Sequence, residues 1–251
     1  MAKIIGTNHN DTLDGTENAD TILGKGGDDT LNGNGGNDTL DGASGVDIMN
    51  GGNGNDLIYF SEFTDHIDGG DGFDTISFAK INHGITADNT SFNFAGGTVT
   101  QVEGITGTKY ADHIDESGGP GVDSSTIHGG GGNDFISGDG TLYGDAGNDR
   151  LVPQGVNTFG NFWTPDAYGG TGHDTFVIDY VYALHNLTGD DATIHDFTPG
   201  TDHLEFEGGH NATLSNVNDV WTIHDNVDST DTSFTLEGIT HLDPSSDYTF
   251  V

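Results

Sequence analysis

Along the first third of the chain one apolar residue recurs every nine positions: Leu13, Ile22, Leu31, Leu40, Met49, Ile58, Ile67 and Ile76. Most stand between polar neighbours, as in Thr12-Leu13-Asp14 and Thr30-Leu31-Asn32, and glycine and Asx fill the stretches between. Side chains alternate faces along extended backbone, so each triplet predicts a short strand with its middle residue turned inward. The turn residues on both sides reverse the chain. Two nonapeptides then complete one coil of about 18 residues, and successive coils stack as parallel strands about 4.8 Å apart. Leu13, Leu31, Met49 and Ile67 should line one inner wall, and Ile22, Leu40, Ile58 and Ile76 the other.

An aspartate keeps the same period: Asp11, Asp20, Asp29, Asp38, Asp47, Asp56, Asp65 and Asp74. Five residues before most of them stands glycine, at Gly6, Gly15, Gly24, Gly33, Gly42, Gly51 and Gly69. Turns this tight need residues that accept positive φ, and Asn18 in a glycine slot is the next most tolerant type. Unit 60–68 has Phe60 and Phe63 where glycines belong. A looser second block carries Asp112, Asp123, Asp134, Asp149 and Asp174, with full units beginning at Gly129, Gly144 and Gly169.

Charge changes the meaning of this pattern. The chain of 251 residues has 5 Lys+Arg against 41 Asp+Glu, a formal net charge of −36, with only 31% hydrophobic residues. That composition describes a chain too self-repelling and too poor in apolar surface to stay compact unaided. The acid excess excludes nucleic acid and anionic membrane surfaces as partners. No apolar run reaches the length of a membrane span, and the opening Met1-Ala-Lys-Ile-Ile-Gly-Thr-Asn has no apolar core of an ordinary signal peptide. The absence of cysteine excludes disulfides and thiolate metal sites.

A cation resolves the charge problem. Turn carbonyls left open by glycine, together with Asp carboxylates, are hard oxygen donors that suit Ca²⁺, with its 6–8 oxygen ligands and flexible geometry, better than Mg²⁺. Calcium is therefore the expected cofactor, held between turns one coil apart. The expected ligands are the carboxylates of Asp11, Asp20, Asp29, Asp38, Asp47, Asp56, Asp65, Asp71, Asp74, Asp112, Asp123, Asp134, Asp149 and Asp174. With them come Asn53 and the turn glycines Gly24, Gly26, Gly33, Gly35, Gly42, Gly51, Gly69, Gly129, Gly131, Gly144 and Gly169. Folding and metal binding would then be one reaction.

Units such as Gly129-Gly-Gly-Gly-Asn-Asp-Phe-Ile-Ser137 and Gly169-Gly-Thr-Gly-His-Asp-Thr-Phe-Val177 match Gly-Gly-x-Gly-x-Asp-x-apolar-x. This resembles the calcium-binding repeat of RTX (hemolysin-type) secreted proteins. The resemblance covers roughly residues 6–77 and 107–177. It implies an all-β, right-handed parallel β-roll with calcium between turns. Ile194-His-Asp-Phe197 and Gly200-Thr-Asp-His-Leu204 resemble the stretch that closes the rolls of serralysins and alginate-epimerase R-modules. By the same resemblance, 178–251 is a C-terminal β cap and type I secretion signal. The protein is then expected outside a Gram-negative cell, with the type I apparatus as partner.

The organisation expected is a first block 1–77, wider coils 78–106, a second block 107–177 with an aromatic insertion 153–168, and the C-terminal region 178–251. Some RTX proteins act on extracellular polysaccharide, and an acidic glycan is an expected partner. A lyase or epimerase acting on a uronate needs a base and a cation to neutralise the carboxylate. The candidates are Tyr110, His113, His128, Tyr143 and His173 with Arg150, and Phe162, Trp163 and Tyr168 for substrate binding. Outward threonines at 12, 21, 30, 39 and 75 are interrupted by Lys25, Ile48, Leu57 and His66, too irregular a face for lattice matching. No helical pairing of histidines, nucleophile elbow or phosphate loop is present.

Overall fold

The computed structural model describes residues 1–61, 65–88, 97–116, 125–138, 140–154, 165–179, 192–207, 212–217, 220–225 and 231–251. Its regular structure is β throughout, and among the described residues no helix is long and apolar enough to cross a membrane. The chain forms two compact units, Met1–Lys109 and Tyr110–Val251.

The first unit has two parallel walls. One stacks Lys3–Ile5, Thr21–Gly26, Thr39–Ser44, Leu57–Tyr59, Thr75–Ser77 and Gly104–Thr106; the other stacks Thr12–Asp14, Thr30–Gly35, Ile48–Asn53, His66–Asp71 and Thr98–Thr100. The register follows the 18-residue coil, with Leu31 opposite Met49 and Ile22 opposite Leu40. Ile22, Leu31, Leu40, Met49, Ile58 and Ile76 are fully buried, each the middle residue of its triplet. Leu13, in the first coil, is half-buried. Phe60 is fully buried against Phe78, ring centroids 5.1 Å apart, so an apolar contact replaces a turn glycine there.

Two expectations need correction. Many strands run six residues rather than three, because hydrogen bonding between coils continues through the turns: Lys25 pairs with Ala43, and Gly27 N–H donates to Ser44 O. Positive φ is also not spread over the glycine slots. It falls at the second and fourth turn positions, as at Asn34 (73°) and Gly36 (101°), and Asn18 does not adopt it. First-position glycines are needed for space instead, as the metal geometry shows.

In the second unit one wall holds Thr126–His128, Thr141–Tyr143, Asp166–Tyr168, Ala192–Ile194 and Asp231–Leu236. The other holds His113–Asp115, Phe135–Gly138, Arg150–Pro153, Thr175–Asp179, His203–Glu207 and Tyr248–Phe250. Val220–Asp225 and Ala212–Val217 then add antiparallel to the first wall. Trp221 Nε1 donates to Ile239 O at 3.1 Å, and Phe206 and Phe234 fill the interior beneath. Coil length varies here. Successive stacked aspartates lie 22, 15, 25 and 28 residues apart, yet the hydrogen bonds joining them stay between 2.8 and 3.0 Å. The architecture in both units is a parallel β-roll.

Candidate metal centre

The repeat aspartates form ladders. Asp29 N–H donates to Asp47 Oδ1 at 2.9 Å, Asp38 to Asp56 at 2.7 Å, and Asp56 to Asp74 at 2.8 Å. The second unit repeats this from Asp112 through Asp134, Asp149 and Asp174 to Asp202. Each such Oδ1 is thereby occupied. Oδ2 is not: on Asp29, Asp38, Asp47, Asp56, Asp74, Asp134 and Asp149 it is buried with no hydrogen-bond partner. A buried carboxylate oxygen left unpaired costs several kcal/mol unless a cation meets it or it is protonated.

The glycine five residues earlier shows where these oxygens point. A Cβ built on Gly144 would lie 2.5 Å from Asp149 Oδ2 and 2.5 Å from the carbonyl oxygen of Gly169, one coil on. On Gly129 it would lie 2.5 Å from Asp134 Oδ2 and 2.9 Å from Gly144 O. Gly24, Gly33 and Gly51 face the same pairing, with Asp29 and Gly42 O, Asp38 and Gly51 O, and Asp56 and Gly69 O. Over Gly69 the carbonyl comes from Gln101, which the repeat pattern did not single out. Gly42 and Gly169 face Asp47 Oδ2 and Asp174 Oδ2. A carboxylate oxygen and a carbonyl oxygen of the next coil thus converge beside the first-position glycine; these are the hard oxygen donors Ca²⁺ takes, and a side chain on that glycine would crowd them. Among the described residues no three His, Asp or Glu side chains cluster as metal ligands, so backbone carbonyls must carry much of the donor set.

Other candidates stand differently. Asn53 and Asp71 turn their side chains to solvent, and their carbonyls accept from Gly36 N–H and Gly54 N–H. At Asp11 and Asp20 the Oδ2 atom is taken by the protein: Thr7 N–H and Oγ1 donate at 2.6 and 2.8 Å, Thr16 N–H and Oγ1 both at 2.8 Å. Gly26 and Gly35 end the strands Thr21–Gly26 and Thr30–Gly35, Gly131 bridges to Ala146, Asp65 and Asp112 are buried, and Asp123 lies outside the described residues.

Titration sets Asp11 and Asp20 apart from several of the buried ladder aspartates. Burial, opposed by the ladder N–H and reinforced by neighbouring carboxylates, pushes Asp38, Asp47, Asp74 and Asp134 up to about 6 and Asp149 up to about 7. Hydrogen bonds from Thr7 hold Asp11 below its usual value, and those from Ala2 and Thr16 do the same for Asp20. Between the unfolded value of 3.8 and these raised values, the metal-free fold holds protons that the unfolded chain has released. Its stability must then fall as pH rises through that window. With calcium the sign reverses, because the ion needs ionised carboxylates and its binding releases protons. Melting temperatures should therefore fall in chelator as pH rises from 4 until the metal-free fold is lost near neutrality, and rise from pH 4 to 8 in millimolar calcium. Parallel slopes would contradict this.

The Asx residue just before six of the aspartates has a role that sequence reasoning missed. Asn37 Oδ1 accepts from Asn55 N–H at 3.1 Å, Asn133 Oδ1 from Asn148 N–H at 3.0 Å, and Asn148 Oδ1 from His173 N–H at 3.0 Å. These bonds run toward the preceding coil, opposite in sense to the aspartate ladder. The signal was present as recurrent Asx at positions 10, 28, 37, 55, 133 and 148. Asn37→Ala should cost about 1 kcal/mol, read as a lowering of Tm by roughly 2–4 °C in calcium.

The described residues considered for catalysis and substrate binding are divided between the two walls of the second unit and its turns. Arg150 donates to Glu205 at 2.7 and 2.9 Å and to Glu207 at 2.9 Å, so its guanidinium is engaged by carboxylates. His113 stacks on Phe135, on the same wall as Arg150. His128, Tyr143 and Tyr168 stack with His195 on the outside of the other wall, at centroid spacings of 4.3, 4.7 and 4.4 Å. Both faces of Tyr143 and of Tyr168 are covered by rings. Tyr110 is 38% exposed at the start of the unit, and His173 lies in a turn with Nδ1 2.9 Å from Thr201 O. Phe162 and Trp163, with most of the aromatic insertion, lie outside the described residues.

Comparison with known proteins adds the repeat's identity. The family described as the RTX calcium-binding nonapeptide repeat (4 copies) matches residues 5–40, 23–58, 61–77, 117–141 and 141–153. No curated protein matches the chain. Among solved structures, the extracellular lipase LipA from Serratia marcescens is similar at 19% identity and a TM-score of 0.23, over 98% of this chain and 39% of that one. The chain thus spans about two fifths of that lipase's length. The orphaned carboxylate oxygens, the glycines that leave room beside them and the matched repeats agree: residues 5–58, 61–77 and 117–153 of the chain carry the RTX calcium-binding nonapeptide repeat.

Proposed function

We propose that this chain is a secreted module that acquires its β-roll on meeting extracellular calcium, through the turns where Asp Oδ2 faces a carbonyl of the next coil. The observation that carries this is the set of seven buried, partnerless Oδ2 atoms on Asp29, Asp38, Asp47, Asp56, Asp74, Asp134 and Asp149. The chain's own groups do three things there. Oδ1 accepts the N–H of the previous coil's aspartate and fixes the carboxylate plane. First-position glycine leaves the space beside Oδ2 open. At Asp29, Asp38, Asp56, Asp134 and Asp149 a glycine carbonyl of the next coil completes the pair, and at Asp74 the carbonyl of Gln101 does. The ion, when bound, supplies positive charge between stacked turns.

Export before folding follows from concentration. Extracellular calcium modules have dissociation constants of about 10⁻⁴–10⁻³ M, far above cytosolic calcium. The test is equilibrium dialysis over that range with circular dichroism on the same samples. Several ions bound together with a gain of β signal are expected; saturation with no change in signal would reject the coupling.

Association with an acidic polysaccharide, or lyase action on one, gains no support from the described residues. Arg150 is neutralised by Glu205 and Glu207, and the stacked tyrosines present ring edges rather than faces to a sugar.

A further inference from the structure

Eleven of the described turn aspartates fall into two groups that differ in one upstream residue, with Asp65, Asp112 and Asp174 outside both. In turns with a partnerless Oδ2, the residue four positions before the aspartate has positive φ: Lys25 (85°), Asn34 (73°), Ala43 (68°), Gly52 (105°), Gly70 (104°), Gly130 (96°) and Asp145 (69°). In the other group the equivalent residue is Thr7, Thr16, Thr198 or Asp243, none of them at positive φ. There its N–H donates to Oδ2 of Asp11, Asp20, Asp202 or Asp247, at 2.6, 2.8, 2.8 and 2.7 Å. At Thr7 and Thr16 the hydroxyl donates as well, at 2.8 Å in both.

The cause is local. A left-handed residue at this position directs its N–H away from the carboxylate, leaving Oδ2 to face the next coil. A β-branched threonine disfavours that conformation. It keeps its N–H on the carboxylate and adds a second donor. Gly24 O still stands over Gly6, but Asp11 Oδ2 already holds two donors.

We propose that the residue four positions before each repeat aspartate selects between a turn that takes calcium and one that closes on itself, and that the turns at Asp11, Asp20, Asp202 and Asp247 take none. This rests on the calcium reading of the open turns. It removes Asp11 and Asp20 from the ligands expected from the repeat alone. It also makes the first coil of the first unit self-sufficient at both of its turns.

Native mass spectrometry of the full chain in calcium, with calorimetric titration, tests the assignment. Asp20→Asn should bind the wild-type number of ions, whereas Asp38→Asn should bind one fewer or bind it at least tenfold more weakly. The double change Thr16→Gly with Asn18→Gly rebuilds an open turn and should add one ion. An ion lost in Asp20→Asn overturns the assignment, and no gain in the double variant overturns the selector role. An unchanged ion count and affinity in Asp38→Asn would instead overturn the calcium reading beneath it.

Discussion

In excess chelator at neutral pH and low ionic strength, the protein should lose its β signal and expand to a radius of gyration on the order of 50 Å, against about 20 Å when compact. Return to millimolar calcium should restore both. The size of the effect follows from the ladders. Stacked aspartates are about one strand spacing apart, roughly 5 Å. At an effective dielectric near 20, each neighbouring ionised pair then costs about 3 kcal/mol. A few such pairs exceed the whole stability of an ordinary domain, about 5–15 kcal/mol. Monovalent salt should not substitute, because at 0.15 M the screening length is about 8 Å, longer than the step between coils. Small-angle scattering with circular dichroism, run in chelator with and without added NaCl, checks this. A compact, β-rich chain in chelator at low salt would refute it.

The second large effect is expected at Gly144. Its φ is not in the left-handed region, so alanine there carries no backbone penalty; the conflict is purely one of space. The added methyl would stand 2.5 Å from both Asp149 Oδ2 and Gly169 O. Overpacking costs about 1–3 kcal/mol. Loss of one ion present at ten times its dissociation constant removes about 1.4 kcal/mol more. Gly144→Ala should therefore destabilise the calcium form by roughly 2–4 kcal/mol and bind one ion fewer. Gly238→Ala is the control. That residue has φ 74° with nothing within 4 Å of an added Cβ, so its cost is the left-handed strain alone, about 1–2 kcal/mol, with an unchanged ion count. Equal ion counts in the two variants would contradict the role given to the first-position glycine.

The walls of the first unit were readable because their period is local: one apolar residue in nine fixes both the inward face and the register. The aspartates were readable as a set but not as two sets. The repeat pattern weighs glycine and aspartate and ignores the second turn position, where Thr7 and Thr16 part from Lys25 and Asn34. The asparagine ladder was missed for the same reason, its position being a free one in the repeat. Arg150 was correctly placed outward, but Glu205 and Glu207 lie 55 and 57 residues further on, beyond any local pattern. Gln101 likewise reaches its place over Gly69 only because the longer coil returns to the same stack.

Coil length in the second unit ranges from 15 to 28 residues while the bonds between aspartates keep one length. All the slack must therefore be taken up away from the acidic spine. The stack counts turns and not amino acids, so a segment added to one coil leaves the spacing of every other coil untouched. New surface can be grafted onto such a scaffold, one rung at a time, without disturbing its mineral chemistry.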